Sequence, residues 1–353
     1  LKRIACLILI ALAAHPAAAR ADEWREQSEK TVEARGLSSL AVENARGLIR
    51  IRPSSDGRIH LTALKIVRSN RRERAQNIAR DIRVGLDQQG DRLVVKVHYP
   101  QNQQLRVGFW EMFSCFEWPK LEVRIGLDVP PAMAVTLNST SGDLETEGMN
   151  GTQRLDTTSG NISVDGAGAS IVASTTSGDI SFAQVMSADL HSVSGDVEID
   201  GMRGDLKAGT TSGDVMVKAV TGSATITSVS GEIQVLGSPR GLKARTVSGE
   251  IVARDAAGDV RLESASGSVT LAAAREMRRA EVNTASGDIV MSLAPSLGCE
   301  IEMHTSNGAL DAALPIQVRN VSRHSMTGVI GNGATPVFLR SSSGDINVKS
   351  AGG

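Results

Sequence analysis

The sequence predicts an all-β protein, a parallel two-sided β-solenoid of about eleven 18-residue coils. Three observations carry that reading. A Ser-Gly-Asp triplet and its variants recur with glycines at Gly142, Gly160, Gly178, Gly195, Gly213, Gly231, Gly249, Gly267, Gly287, Gly308 and Gly344. Branched aliphatic residues occupy fixed columns around that glycine. Glycine numbers 35 while aromatics make up 3% of the chain, a composition suited to many thin layers and unsuited to one large globular core.

Taking the chain in order, residues 1–21 read as a secretory signal: Lys2 and Arg3, the apolar run Ile4 to Ala14, and the small-x-small site Ala19-Arg20-Ala21. Its removal would take the formal net charge from −1 to −4, because Lys2, Arg3 and Arg20 leave and no acid does. No later apolar run is long enough to span a bilayer, so the mature chain is expected to lack a transmembrane segment. The expected location is the periplasm or the cell surface, which makes nucleic acid an improbable partner.

Residues 22–134 read as a β-rich N-terminal cap. Leu40, Val42, Gly47, Ile49 and Ile51 form a decayed coil. A short polar helix follows near Ser69 to Arg80, then a hairpin through Arg83 to Tyr99 and a strand over Leu121 to Leu127. Such a cap would cover unpaired strand groups that invite edge-to-edge association.

Residues 135–350 carry the repeats. The second residue after each glycine is branched and aliphatic, from Leu144, Ile162 and Ile180 through to Leu310 and Ile346. Five residues before it stand mostly apolar positions such as Leu137, Leu155, Leu190, Ile226 and Leu262. Both sets follow the period of two expected of strands with one buried face. Second glycines at Gly151, Gly204, Gly222 and Gly258 mark the return turn. Right-handed crossovers are favoured, and at about 4.8 Å per coil the rod would be on the order of 50 Å long. The 36-residue gap before Gly344 reads as holding a worn copy at Met326 to Ile330.

With the Ser-Gly-Asp-Ile/Val repeats, the lead-in strand Leu121 to Pro130 and the closing stretch from Gly331-Asn332-Gly333 to Asp345-Ile346 in view, the chain resembles a bacterial family of putative adhesins. That family is a β-strand-repeat domain of unknown function, and the resemblance covers roughly residues 38 to 350. It implies a solenoid fold, an envelope location, no catalytic residues to carry over and, loosely, an accessory role in envelope stress or at the surface.

Several residues could carry chemistry. A hydroxyl stands three residues before every glycine, from Ser139 and Thr157 to Thr305 and Ser341, and by parity these face inward and bond along their column. Asp143, Asp179, Asp196, Asp214, Asp288 and Asp345 follow the glycine. Calcium needs six to eight oxygens per ion, so turn aspartates accepting nearby backbone N–H groups are the simpler reading, and no metal or cofactor is expected. Cys115 and Cys299 are not expected to pair with each other within one molecule, being many coils apart. The histidines lack metal-ligand spacing, and the repeated serines suit turns better than catalysis.

Two features remain as candidate partner contacts. Arg68, Arg71, Arg72 and Arg74 make the helical insertion basic, although a charge run is more often a solvated face. Phe109, Trp110, Phe113, Phe116 and Trp118 crowd one short segment, as an apolar plug for the solenoid end or as a projecting contact loop. The expected function is a non-enzymatic envelope scaffold or adhesin-like binding protein, with an envelope protein or polysaccharide as partner. The alternatives are an envelope-stress signalling accessory protein and a polysaccharide-active β-helix enzyme, which would need acids clustered on one face.

Overall fold

The computed structural model describes residues 23–69, 72–100, 120–238, 240–294 and 296–351. These fall into two compact units, one up to Ala169 and one from Ser170. Both are built of strands, and the one helix among the described residues is Arg72–Asp81.

In the second unit successive coils stack in register as two parallel ladders. One ladder runs through the strands before the glycine, with Ala173, Leu190, Ala208, Ile226, Ala244, Leu262 and Val282 as successive neighbours. The other runs through the strands after it, aligning Ile180, Val197, Val215, Ile233, Ile251, Val269 and Ile289. All of these side chains are buried. Each fully buried aliphatic contributes about 1.5–3 kcal/mol, so many thin layers of medium-sized side chains replace the large aromatic core that the composition lacks. Phe182 is the largest fully buried side chain among the described residues.

The return turn has two devices. A Cβ on Gly204 or Gly222 would overlap the carbonyl oxygen of the coil beneath. Six residues after the corner glycine the backbone turns left-handed, at Gly201 and Gly237 with φ of 76° and 82°. The same position is held by Gln184, Ala219 and Asp255 at 52–54°, a conformation that costs an L-residue roughly 1 kcal/mol.

The stack does not follow chain order at its C-terminal end. Thr335–Ser343 pairs parallel with the Ala280 to Ser286 stretch on one side and with Cys299–Asn307 on the other, placing Leu339 between Val282 and Met303. Ile346–Ser350 lies likewise between Ile289–Leu293 and Leu310–Ala313. The last coil in sequence is therefore inserted between two earlier ones. Met326 to Ile330 is not a worn coil: Ser325–Ile330 runs antiparallel to Cys299–Asn307 and pairs in turn with Gln317–Val321. The expectation failed because hydrophobic alternation reports a strand and not its direction.

The first unit has the same device. Ser39–Arg46 lies between Arg92–His98 and Ala134–Ser141, while Ile49–Pro53 lies between Lys120–Val129 and Leu144–Glu147. The coil met first in sequence is thus interior to its stack. Its outer neighbour is closed by antiparallel strands, Arg83–Gln89 on one arm and Arg58–Arg68 followed by Glu23–Glu33 on the other. The helix packs on those last two strands with Ala75, Ile78 and Ala79 buried on one face, and Ile82 just past its end is buried too.

Candidate functional site

The residues that look most reactive in the sequence belong to the Ser-Gly-Asp corner, and stacking employs them. Thr284 Oγ1 donates to the carbonyl of Gly267 at 3.2 Å, Ser341 Oγ to that of Gly287 at 3.2 Å, and Thr305 Oγ1 to that of Gly344 at 3.0 Å. The hydroxyls do not bond one another along the column, as parity alone suggested. Like atoms of stacked strands lie about 4.8 Å apart, too far for an O–H···O bond of about 2.8 Å, whereas the carbonyl of the adjacent coil is within reach. In Ser192, Thr210, Ser228 and Thr246 the buried hydroxyl has no partner, so this bond is not made at every level.

The glycine is required twice over. At Gly213 and Gly231 φ is 139° and 148°, and an added Cβ would overlap the carbonyl of the glycine in the coil below. The aspartate then bridges coils. Asp179 Oδ1 accepts the N–H of Asp196 at 3.0 Å, Asp196 Oδ1 that of Asp214 at 2.9 Å, and Asp214 Oδ1 that of Glu232 at 2.8 Å. A local turn bond was expected, and the partner found is one coil away. No three ligating side chains converge to hold a metal among the described residues. At the return corner Asp205 Oδ1 accepts both the N–H and the hydroxyl of Ser223, at 2.9 and 2.8 Å. These bonds, the backbone one first, hold its carboxyl below the usual aspartate value.

In the first unit, Arg68 Nε is paired with Glu23 at 3.1 Å and the Arg72 guanidinium lies 5.6 Å from the Trp24 ring centre. Two of the four arginines named from sequence thus hold the outermost strand against its neighbours. Arg71, the Arg74 side chain, Phe109, Trp110, Phe113, Cys115, Phe116 and Trp118 lie outside the described residues. Cys299 is buried, and burial pushes its thiol up to about 11. Sequence reasoning missed Asn44 and Tyr99. Asn44 stands in the hydroxyl column, three residues before Gly47, and its Nδ2 donates to the Val123 carbonyl at 2.8 Å. The Tyr99 hydroxyl lies 2.7 Å from both Asn44 Oδ1 and the Arg46 carbonyl, which share its one proton.

One cluster has the hydroxyl, imidazole and carboxylate order of a nucleophilic triad. His60 Nδ1 lies 3.2 Å from Thr31 Oγ1, and its Nε2 lies 2.9 Å from Asp56 Oδ2. The His60 and Asp56 side chains are 38% and 44% exposed, whereas the carboxylate of a working triad is buried to hold its imidazole. Asp56 Oδ1 also accepts the Arg58 N–H at 3.0 Å, which is a turn bond.

No curated protein matches the chain. Among solved structures it is similar to a putative adhesin from Bacteroides fragilis, at 10% identity over 92% of this chain and 97% of that one, with a TM-score of 0.30. A putative adhesin from Parabacteroides distasonis shares 11% identity over 92% and 97%, with a TM-score of 0.29. A putative lipid binding protein from the same organism shares 9% over 92% and 96%, with a TM-score of 0.31. The profile of one family, Toastrack DUF4097, matches residues 37–255 and 239–349. With most of its length so matched and its strands stacked as described, the chain belongs to the Toastrack DUF4097 family, whose fold is β-solenoid-like.

Proposed function

We propose that the protein is a non-enzymatic scaffold or binding protein of the bacterial cell envelope, exported to the periplasm or the cell surface. The observation that carries this reading is the use of the repeated hydroxyls and aspartates in bonds between coils, which gives them a structural task in place of a catalytic one. What remains outward is a regular face at strand spacing, suited to presenting groups at fixed intervals. On sequence grounds, its candidate contact residues are Phe109, Trp110, Phe113, Phe116 and Trp118 and, as a second group, Arg68, Arg71, Arg72 and Arg74. Of these, Arg68 and Arg72 are engaged with Glu23 and Trp24. The test is cross-linking in the native cell followed by fractionation. Recovery in the envelope fraction, joined to an envelope protein or polysaccharide, is the expected result. Cleavage of peptidoglycan or an acidic polysaccharide by purified protein, abolished by one Asp or Glu substitution, would overturn it.

A further inference from the structure

The outward face of the unit from Ser170 bears a groove of about 500 Å³ that spans successive coils. Its floor follows from the pleat. In the strands before the corner glycine, Ala224, Leu242 and Val260 point inward, so Ser223, Gly241 and Asp259 form one outward row and Thr225, Lys243 and Arg261 the next. Ser223 and Gly241 are small, and the surface dips there. Four cations, Arg240, Lys243, Arg261 and Arg279, line the dip against two acids, Asp259 and Glu281. The excess is positive in a chain whose net charge is −1.

The acids are already engaged. Asp259 pairs with Arg278 at 3.4 Å, and Glu281 lies 3.8 Å from both Arg261 and Arg279. Arg261 is also held by Glu263 at 2.6 Å, and Arg279 lies 5.2 Å from the Phe338 ring centre. Both guanidiniums are thereby oriented, and each has five N–H donors, more than these contacts use. Neither Arg240 nor Lys243 makes a salt bridge within 4.0 Å among the described residues, although Arg240 lies near enough to Asp205 to help lower its carboxyl. A sequence signal did exist: Lys207, Lys243 and Arg261 all stand six residues before their corner glycine, a column visible once the register is written out.

We propose that this groove binds the carboxylate or phosphate groups of an anionic polysaccharide lying across successive coils. The proposal goes beyond the binding-protein reading by naming a ligand class and a place, and rests on that reading only for the compartment. A polymer fits because equivalent rows recur at about 4.8 Å, so one chain can engage several cations, and linked contacts add avidity. A glycan fits because the floor is hydroxyl and backbone: the described lining offers no exposed aromatic for stacking bases and no apolar face for entering a bilayer.

The experiment is calorimetric titration of the purified protein with polygalacturonate and a phosphomannan, which carry carboxylates and phosphates on a sugar chain, at low and high salt. Neutral dextran, polyglutamate and phosphatidylglycerol vesicles serve as comparisons. The expected result is salt-sensitive binding of at least one of the first two and none of dextran. It should weaken at least tenfold in the Arg240→Ala/Lys243→Ala double variant and stay unchanged in Arg154→Ala, an exposed ion-paired cation of the other unit. The melting temperature of the double variant should match the wild type. Equal binding by the double variant, or tighter binding of vesicles or polyglutamate than of either polysaccharide, overturns the groove assignment while leaving the binding-protein reading intact. Silence toward both polysaccharides likewise overturns it, while the broader reading stands or falls separately on the cross-linking and cleavage experiments.

Discussion

Each unit contains a coil inserted out of chain order, but the two are secured differently. The C-terminal insertion, residues 335–350, carries the complete corner. Ser341 donates to Gly287, and the Asp345 N–H donates to Asp288 Oδ1 at 2.8 Å. On the far side Thr305 donates to Gly344, and Asp345 Oδ1 accepts the Ala309 N–H at 2.7 Å. The N-terminal insertion, residues 39–53, has Asn44 in place of the hydroxyl and Leu48 in place of the aspartate. In the strand Lys120–Val129 of its outer neighbour the residue in register with Gly47 is Val123, not a glycine. There the longer amide of Asn44 reaches Val123, and Tyr99 closes over Asn44 and Arg46. The motif is thus a device for stacking like corners, and where the neighbour is unlike, another polar side chain satisfies the same buried groups.

The largest expected effect tests the insertion itself. Deleting residues 335–350 removes the only parallel neighbour of Leu310–Ala313 and the only parallel neighbour of Cys299–Asn307 among the described residues. Hydrogen exchange should then show loss of protection across 299–313, although that segment is intact. In a stack that followed chain order those amides would stay protected. Next, Gly344→Ala should destabilise by roughly 2–4 kcal/mol in a denaturant melt, because its Cβ would overlap the Gly287 carbonyl and its φ is 155°. Gly47→Ala, at φ 104° with a Cβ overlapping the Val123 carbonyl, should cost a similar amount. A loss under about 0.5 kcal/mol at either would mean that the coils can part at that corner.

Asn44→Ala should cost about 1–3 kcal/mol by leaving the buried Val123 carbonyl without its side-chain donor, and Tyr99→Phe about 1 kcal/mol. Equal stability of both variants and the wild type would show that the improvised corner is dispensable. Asp345→Ala should cost about 1 kcal/mol, and millimolar calcium should leave the melting temperature of wild type and variant alike. The smallest effect has the opposite sign: Ala219→Gly, at φ 54°, should stabilise by about 0.5–1 kcal/mol. A destabilised glycine variant would mean that the Ala219 methyl packs against something its conformation does not reveal.

By itself the sequence determined which residues face inward, where each coil turns and which residue types the corner needs. Those follow from local rules: a period of two for a half-buried strand, and no Cβ where backbones touch. The decayed coil was legible because Leu40, Val42, Ile49 and Ile51 keep the same offsets around Gly47. Among the candidate contacts, the basic run was legible as charge, while the pairing of Arg68 and the ring contact of Arg72 depend on Glu23 and Trp24, far away in sequence. The cationic groove was hidden because only Lys243 and Arg261 share a column, while Arg240 and Arg279 stand at other offsets from their glycines and meet them only once the coils are stacked. Tertiary structure alone decided the order of stacking. Every coil presents nearly the same parallel edge, so local pattern cannot tell which neighbour it will meet. At each insertion that choice is made by long-range pairing, with Leu339 between Val282 and Met303 and Leu40 between Leu93 and Val135.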